Sequence, residues 1–559
     1  LESIANRQDM YVRWSPNEKV AFDVALGASL GGVRALVTMK HVGLNVAADT
    51  FMTAAYTGVG AGLVILVADD PGMHSSQNEQ DTRAYARMGF VPLLEPSDSS
   101  EAKEFTMLAF DISEEFDIPV LVRTTTRVSH NRGVVKIGAR LERPVKGFVS
   151  DPAKYVMIPG YARGRRPVLL ERIEALTAYV EASSLTVESG SGGDIGVVTA
   201  SVAHQYVREV LPDARILKLG MTYPLPIERI RAFADSVDRL FVVEELDPHM
   251  ENDIRLGGIA VEGRAFFPQI GELNPDIVRK GFAEAGILPF APPESDPAPP
   301  TVVRPAIMCP GCSHASPFLA LKRLGAVVTG DIGCYTLAAL PPLSAMDTCL
   351  AMGSSIGMAI GMAASGGADG PVVAAIGDST FVHGGIPGLS DAVYSQANIT
   401  VLILDNGTVA MTGGQEHPGT GVTLQGSDTT PLDVVALCKA LGVRDVRVVD
   451  PYDMAAMYSA LESSIAYVGP SVVITNRPCV VSPIKIRDKP YQVIDEACTA
   501  CQACMTLGCP SIIWSEETFE GRRKVVIDPV TCTGCTVCAQ LCPPLAIVPV
   551  PDWEGSTDV

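Results

Sequence analysis

Eight cysteines near the carboxyl terminus constrain this chain more than any other feature. They form two runs, each ending in a Cys-Pro pair: Cys498, Cys501, Cys504, Cys509 and Cys532, Cys535, Cys538, Cys542. Such runs are typical of proteins that hold two cubane iron–sulfur clusters, in which the fourth cysteine of each run ligates the other run's cluster. The pattern predicts one [4Fe-4S] cluster on Cys498, Cys501, Cys504 and Cys542, and a second on Cys509, Cys532, Cys535 and Cys538. A zinc ribbon or a disulfide scaffold is the alternative, but zinc sites use paired cysteines rather than triplets with a trailing Cys-Pro.

Charge and cysteine usage narrow the class of protein. The 559 residues carry a formal net charge of −20, which argues against nucleic acid or an anionic membrane surface as a partner. The best apolar run, residues 59–68, is shorter than the roughly 18 residues that span a bilayer. The sequence shows no secretory signal, so the 14 clustered cysteines indicate metal ligation in a reduced cytosol. We therefore expect a cytoplasmic protein, and oxygen-labile clusters favour an anaerobic or microaerobic setting.

Alternating apolar runs and glycine-rich turns predict a multidomain α/β protein with parallel sheets. Strands are predicted at 35–37, 62–68, 119–123, 196–200, 216–219 and 240–243, with helices between them. We expect α/β domains over 1–150, 151–290 and 306–490, a proline-rich linker over 291–305, and a small two-cluster, ferredoxin-like domain over 491–559. The chain opens inside what looks like a helix, so we expect a first strand to precede Leu1.

Two predicted strands end in residues that suit a magnesium diphosphate. An apolar run at 372–376 is followed by Gly377-Asp378-Ser379, and another at 400–404 is followed by Asp405-Asn406-Gly407-Thr408. Mg²⁺ takes few protein ligands plus phosphate oxygens, so a carboxylate and an amide at neighbouring strand ends fit it. This pattern is typical of thiamine diphosphate enzymes; the alternative is a pair of turn-forming residues. A small-residue helix at 353–361 can pack on the sheet or face a diphosphate.

Further candidates lie at helix starts and strand ends. Glu18 lies in the first turn of a helix, where an acid is ordinary. His41 and His74 follow predicted strands, where α/β proteins place ligand loops. Two cysteine-containing segments open the third domain: Cys309-Pro310-Gly311-Cys312-Ser313-His314 and Gly330-Asp331-Ile332-Gly333-Cys334.

Taken together, these motifs make the chain similar to the 2-oxoacid:ferredoxin oxidoreductases, and most similar to the large (alpha) subunits of the indolepyruvate branch. The segments that carry the resemblance are W-S-P-N-E-K-V-A from Trp14, A-L-V-T-M-K-H-V-G-L-N from Ala35, D-D-P-G-M-H-S-S-Q from Asp69, C-P-G-C-x-H from Cys309, G-D-I-G-C-Y-T-L from Gly330, G-D-S from Gly377, L-D-N-G-T-V-A-M-T-G-G-Q from Leu404, and the double cysteine run. They extend over nearly the whole chain.

The resemblance implies roles for individual residues. The domains at 1–150 and 306–490 are implied to bind the pyrimidine and the diphosphate of thiamine diphosphate, with Glu18 protonating the aminopyrimidine ring. Asp378, Asn406 and the backbone of Thr408 are implied as Mg²⁺ ligands. His41 and His74 are implied as substrate-pocket residues. The other implied cofactor contacts are Cys309, Gly311, His314, Asp331, Gly377, Ser379, Thr408 and Met411, the last as the bulky residue that supports the bent cofactor.

A further set of cysteines leaves two interpretations open. In pyruvate-type relatives, cysteines at similar places hold a third cluster beside the thiamine ring. The corresponding set in this chain is Cys309, Cys312, Cys334 and Cys479. Either these four hold a third [4Fe-4S] cluster, or the C-x-x-C pair only shapes the loop near the diphosphate.

The implied activity is thiamine-dependent oxidative decarboxylation of arylpyruvates to acyl-CoA and CO₂, with electrons passed through the clusters to ferredoxin. Family members have a smaller beta subunit, so we expect two copies of each chain. The family's Y-P-G-T-P-like turn is not found in this sequence, which leaves one side of the substrate pocket without candidates. The rival interpretations are a non-oxidative thiamine enzyme, an electron-transfer subunit with an inactive thiamine fold, and a 2-oxoacid oxidoreductase of different substrate range.

Overall fold

The computed structural model describes residues 2–7, 10–139, 143–289, 306–482, 488–551 and 553. The chain divides into two compact units: the first consists of Asn17–Pro299, and the second of Leu1–Pro16 with Pro300–Val559. Both are α/β and contain parallel sheets, which confirms the predicted fold class. The linker predicted at 291–305 lies outside the described residues. Within the described ranges, none of the helices has both the length and the apolar character that crossing a bilayer requires.

The first sheet of the unit Asn17–Pro299 has five strands. In spatial order they are Ala35–Lys40, Leu63–Ala68, Val120–Thr124, Leu93–Leu94 and Met221–Tyr223, of which the last is antiparallel. Its helices are Glu18–Leu30, His41–Thr57, Thr82–Gly89, Ser99–Phe116, Thr126–His130, Pro152–Tyr155 and Pro159–Ala182. The strands predicted at 35–37, 62–68 and 119–123 are confirmed. Leu169 and Leu176 of the last helix pack into the core of this sheet, and the domain division near residue 150 stays a prediction.

One predicted loop of this unit is wrong. The segment Lys40 to Asn45 was expected to be a ligand loop, but the helix His41–Thr57 begins directly after the strand Ala35–Lys40. The His41 ring is buried, and its nitrogens lie 3.4 Å from the Ala68 carbonyl oxygen and 3.3 Å from that of Asn78. Burial of this ring against two backbone segments holds the start of the helix next to the sheet.

A second sheet completes the unit. Its strands, in spatial order, are Thr186–Ser189, Ala214–Leu219, Gly192–Ala200 and Arg239–Val243, and the first is antiparallel to its neighbour. The accompanying helices are Ala203–Val210, Ile227–Ala234, His249–Leu256 and Pro275–Glu284. The strands predicted at 196–200, 216–219 and 240–243 are confirmed. The serine- and glycine-rich stretch at 183–194 contains the strand Thr186–Ser189 and the start of the strand Gly192–Ala200.

The other unit is organised around a six-stranded, all-parallel sheet. Its strands in spatial order are Thr348–Cys349, Val327–Gly330, Val372–Gly377, Thr400–Asp405, Ser471–Asn476 and Asp445–Val449. All six residues of Val372–Gly377 are buried, as expected for a central strand covered on both faces. The longer helices are Ala315–Arg323, Ser354–Ser365, Ile386–Tyr394, Val434–Ala440 and Met454–Ile465.

The cysteine-rich segment folds onto this sheet domain. Tyr491–Val493 pairs antiparallel with Ile547–Pro549, and Ile512–Phe519 pairs antiparallel with Arg522–Ile527. Short helical turns at Asp495–Ala497, Ala503–Leu507 and Val537–Gln540 connect the strands. Buried residues of the segment, including Ile527 and Leu541, share one hydrophobic core with Phe318 and Leu461 of the sheet domain.

Candidate active site

The predicted magnesium ligands lie at one edge of the parallel sheet. Asp378 and Asn406 follow the adjacent strands Val372–Gly377 and Thr400–Asp405, and both side chains are buried. One carboxylate oxygen of Asp378 accepts the Ser379 N–H at 2.7 Å, and the other accepts the Gly407 N–H at 2.9 Å. The Asn406 amide oxygen accepts the Thr408 N–H at 3.1 Å. The structure thus brings Asp378, Asn406 and Thr408 into one tight corner, here called the metal corner.

His417 is a member of the metal corner that the sequence analysis missed. Its Nε2 lies 3.2 Å from Oδ2 of Asp378, and both side chains are 6 % exposed. Burial alone would raise the pKa of Asp378, but the hydrogen bond and charge of His417 hold it below its ordinary value. Among the described residues, no lysine or arginine forms an ion pair with Asp378. The only signal for His417 was its place in a glycine- and proline-rich stretch shortly after Asn406.

The electrostatics of the corner extend to a neighbouring acid. Asp405, the last residue of its strand, has its pKa raised to about 6 by burial and by the negative charge of Asp378. Two carboxylates so close together repel each other unless a cation is present. Their arrangement suits a divalent ion held by few protein oxygens.

His314 connects the metal corner to the first cysteine segment. Its Nε2 lies 3.4 Å from the Asn406 amide nitrogen, and burial lowers the pKa of His314 to about 4, so the ring is neutral at physiological pH. The ring packs edge-on against Tyr335, with centroids 5.7 Å apart. Nδ1 of His314 and Oγ of Ser355 are buried without a hydrogen-bond partner in the described part of the chain. Such atoms fit a site for a polar cofactor, because buried polar groups are otherwise paired.

Of the remaining predicted cofactor contacts, Gly377 and Asp331 have hydrogen-bond partners within the chain and Met411 is exposed. The Gly377 N–H donates to the Tyr335 hydroxyl at 3.0 Å. The Asp331 carboxylate is buried and accepts the N–H groups of Ile332, Gly353 and Ser355, so it organises the start of the helix Ser354–Ser365. Gly357 and Gly361 of that helix have open space where a Cβ would lie, so neither is required for close packing. Met411 is 51 % exposed on the turn Ala410–Thr412, and its supporting role stays a prediction.

Glu18, His41 and His74, the candidates for catalysis and for the substrate pocket, lie in the unit Asn17–Pro299. Asn17 caps the helix that begins at Glu18 by accepting the Val20 N–H at 2.9 Å. A Cβ at Gly43 would lie 2.6 Å from Cγ of Glu18, so only glycine leaves room for this side chain. His74 is exposed, and its Nε2 lies 3.0 Å from the Glu272 carboxylate. The structure thus gives His41 a packing position and His74 a surface ion pair, and their catalytic roles stay predictions.

The cysteines of the carboxyl-terminal runs separate into two groups of four. Cys498, Cys501, Cys504 and Cys542 line one small space. Cys509, Cys532, Cys535 and Cys538 line another. Burial, followed by the charges of Cys542, Cys501 and Cys498, raises the pKa of Cys504 to about 11. Each space therefore combines three cysteines of one run with the last cysteine of the other, the combination that crossed cluster ligation requires.

A third group of four cysteines lies beside the metal corner. Burial and the thiols of Cys309, Cys479 and Cys334 raise the pKa of Cys312 to about 12. The Cys479 N–H donates to the Asn406 carbonyl oxygen at 3.0 Å, which fixes the last member next to a predicted metal ligand. Burial also raises the pKa values of Cys309 and Cys334, and such thiols ionise readily only when metal binds them. The donor set therefore fits a third cluster.

Gly311 joins this third group to the second cysteine space. It has a positive φ of 68°, and a Cβ there would collide with the Thr533 hydroxyl. Gly311 also lines the space around Cys532 and Cys535. The Tyr452 hydroxyl donates to the Gly311 carbonyl oxygen and fixes this loop. The contact of Gly311 with the cofactor stays a prediction.

Two models of thiamine-dependent protein families match this chain. Residues 2–182 match the family model "Pyruvate flavodoxin/ferredoxin oxidoreductase, thiamine diP-bdg", and residues 331–475 match "Thiamine pyrophosphate enzyme, C-terminal TPP binding domain". The metal corner lies inside the second match. A solved 2-oxoglutarate:ferredoxin oxidoreductase from Magnetococcus marinus is 19 % identical over 32 % of this chain and 65 % of its own, with a TM-score of 0.29, and that likeness supports no conclusion.

Curated relatives match over nearly the full length. Indolepyruvate oxidoreductase subunit IorA of Methanothermobacter thermautotrophicus is 42 % identical over 98 % of this chain and 91 % of its own. The protein of the same name from Thermococcus kodakarensis is 38 % identical over 99 % of this chain and 92 % of its own. This chain therefore belongs to the family of indolepyruvate oxidoreductase subunits IorA.

Proposed function

We propose that this chain is the large subunit of a 2-oxoacid:ferredoxin oxidoreductase that uses thiamine diphosphate and Mg²⁺ to decarboxylate arylpyruvates such as indolepyruvate. The products are CO₂ and an acyl-CoA, and ferredoxin accepts the electrons. The partner is the smaller beta subunit, in an assembly with two copies of each chain. The names of the curated relatives and both thiamine family models support this proposal.

One observation carries the proposal: four cysteines adjoin the metal corner. Cys479 donates to the Asn406 carbonyl, and His314, two residues after Cys312, contacts the Asn406 amide. A non-oxidative thiamine enzyme has no use for cysteine ligands at this place. The arrangement supports single-electron oxidation directly beside the cofactor.

Residues of this chain have distinct roles in the proposal. Asp378, Asn406 and the Thr408 backbone hold Mg²⁺ and through it the diphosphate, and Gly377, Ser379 and His314 line the same corner. When bound, thiamine diphosphate supplies the carbon nucleophile and the electron sink for loss of CO₂. Glu18 holds the proton on the aminopyrimidine ring, and His41, at the start of its helix, contributes to the substrate pocket together with the loop that carries His74.

The twelve grouped cysteines hold three [4Fe-4S] clusters in this proposal. The ligand sets are Cys309, Cys312, Cys334, Cys479, then Cys509, Cys532, Cys535, Cys538, and finally Cys498, Cys501, Cys504, Cys542. The Gly311 loop connects the first two sets, because Gly311 lies between Cys309 and Cys312 in sequence and also lines the space around Cys532 and Cys535. Iron and acid-labile sulfide analysis of the anaerobically purified complex is expected to give about twelve of each per chain.

The test is anaerobic mixing of the complex with indolepyruvate, with and without CoA, while iron–sulfur absorbance is recorded. We expect bleaching that requires an arylpyruvate and goes further with CoA. Bleaching by dithionite but by no 2-oxoacid would favour an electron-transfer subunit with an inactive thiamine fold. Bleaching by aliphatic 2-oxoacids alone would correct the substrate range.

Substitution of Glu18 separates catalysis from electron transfer. We expect Glu18→Gln to lower turnover at least a hundredfold, because an amide cannot share a proton with the aminopyrimidine ring. Iron content and dithionite bleaching should match the unsubstituted complex. Normal turnover in this variant would show that another residue activates the cofactor.

A further inference from the structure

A large cavity in the unit with the six-stranded sheet extends from the metal corner, with Ser379 as a shared lining residue. Its volume is about 920 Å³, within the range of about 300–1,000 Å³ usual for small-molecule pockets. The extended segment from Tyr11 to Pro16 forms one wall, and the loop between Val409 and Leu432 forms the other. Ser379 contributes the floor. Tyr11 to Pro16 precede Glu18, and the sequence analysis did not predict them to be pocket residues.

Backbone and side-chain hydrogen bonds build both walls. The Gln425 side-chain amide donates to the Val12 carbonyl oxygen at 2.6 Å and joins the two walls. Within the loop, the Thr429 N–H donates to the Gly421 carbonyl oxygen at 2.9 Å, and the Leu432 N–H donates to that of Pro418 at 2.8 Å. The cavity is therefore enclosed by a loop with a defined conformation.

The cavity adjoins the metal corner. Ser379 follows Asp378 directly, and its N–H donates to the Asp378 carboxylate. His417 lines the cavity while its Nε2 lies 3.2 Å from that carboxylate. A substrate held at the metal corner can thus extend a side chain into this space.

The lining favours an aromatic group. Trp14 and Tyr11 supply rings, and the aliphatic contribution comes from Val12, Val409, Val422, Leu424 and Leu432. A flat ring gains contact area and offset stacking against such residues. An acidic side chain would need a dedicated cation, but Arg13 shares the cavity lining with Glu416. A methyl group would contact few of the apolar lining residues.

We propose that this cavity receives the aryl side chain of the 2-oxoacid, and that Trp14, Val422 and Leu424 determine the preference for aromatic substrates. This inference rests on the proposed function. The competing occupant is the adenine ring of CoA, which is also flat and aromatic, and the test separates the two.

Calorimetric binding of 3-indolepropionate to the complex tests the cavity without turnover, because this acid lacks the 2-oxo group. We expect Leu424→Asp to weaken its binding at least tenfold by placing a charge in the apolar wall. Val422→Phe, which keeps the wall apolar but fills the space, should weaken it similarly. The matched control is Val468→Asp, at a side chain of the same unit that is 86 % exposed.

Steady-state kinetics with indolepyruvate and pyruvate then measure the substrate specificity. In Val422→Phe, KM for indolepyruvate should rise at least tenfold, while kcat/KM for pyruvate stays within twofold. Unchanged 3-indolepropionate binding in both cavity variants would overturn the proposal, and so would displacement of that acid by desulfo-CoA. If no 2-oxoacid reduces the clusters, the proposed function fails, whereas the calorimetric result still reports whether the cavity binds an aromatic acid.

Discussion

Two clusters of buried acids lie at strand ends in this chain, and they differ in what neutralises them. In the unit Asn17–Pro299, Arg123 forms ion pairs with Asp69 and Glu95, and Arg83 pairs with Asp81 and Glu244. This set is here called the arginine cluster. In the metal corner, Asp378 accepts backbone N–H groups and contacts His417. Among the described residues, Asp378 forms no ion pair with an arginine.

We interpret the difference as one between a structural cluster and a proposed binding site. A buried carboxylate is stable only when a counter-charge and hydrogen bonds compensate for its lost hydration. The arginine cluster contains its own counter-charges. Among the described residues, the acid of the metal corner has His417 rather than an arginine beside it, and the corner also contains buried polar atoms without partners on His314 and Ser355. Acids of similar position in similar sheets thus serve opposite purposes, and four substitutions test this contrast.

The largest effect is expected from removal of Arg123. Arg123→Met should lower the free energy of unfolding by about 3–5 kcal/mol, because it leaves Asp69 and Glu95 buried without a cation. Urea denaturation followed by circular dichroism measures this loss. The control is Arg127→Met, whose side chain is 57 % exposed in a pair with Glu272, and a surface pair contributes less than about 1 kcal/mol. Equal effects of both variants would contradict the structural role of the arginine cluster.

Glu245 at the margin of the arginine cluster gives a pH-dependent effect. Burial raises its pKa to about 7 from an ordinary value of 4.5. The folded chain therefore holds this proton more tightly, and the stabilisation is complete below pH 4.5 and disappears as pH rises through 7. The change is on the order of 3 kcal/mol. Glu245→Gln should lack this contribution, so unfolding curves at pH 5 and pH 8 should differ less than in the unsubstituted chain; parallel pH dependences would refute the assignment.

The metal corner should differ from the arginine cluster in cofactor binding. Asp378→Asn is expected to weaken Mg²⁺-dependent binding of thiamine diphosphate about a hundredfold, because it removes the only carboxylate among the proposed Mg²⁺ ligands. The thermal unfolding temperature should also fall, because the pKa of Asp378 lies below its ordinary value and its ionised form therefore stabilises the folded chain. The matched variant Asp69→Asn should leave cofactor binding unchanged. Calorimetric titration and thermal scans of both variants decide the contrast.

The smallest effect is expected for His417. His417→Gln should weaken Mg²⁺-dependent cofactor binding by less than tenfold, because Asp378 keeps the Ser379 and Gly407 N–H donors. The same titration measures it. A hundredfold loss would show that His417 contributes as much as Asp378 to the site.

Much of the fold follows from local sequence patterns. Consecutive apolar residues predicted the strands that begin at Val120, Val372 and Thr400, because buried parallel strands need them on both faces. The start of the helix at His41 was missed because a ligand loop was expected after the strand, whereas the helix begins there directly. The resemblance assigned Cys479 to the same group as Cys309, Cys312 and Cys334. Only the structure showed that Cys479 lies next to Asn406. His417 was missed because no spacing rule marks a histidine in a glycine-rich loop.

The sequence by itself determined which chemistry is available: cysteine runs, an acid and an amide after buried strands, and a glutamate in a first helical turn. These signals are short-range, so they survive without knowledge of the fold. Only the tertiary structure decided which of them meet. The strand Thr400–Asp405 lies between Val372–Gly377 and Ser471–Asn476, so Asp378, Asn406 and Cys479 emerge side by side although they are far apart in sequence. Strand order also decided that Arg123 reaches Asp69 and Glu95, because its strand Val120–Thr124 lies between Leu63–Ala68 and Leu93–Leu94.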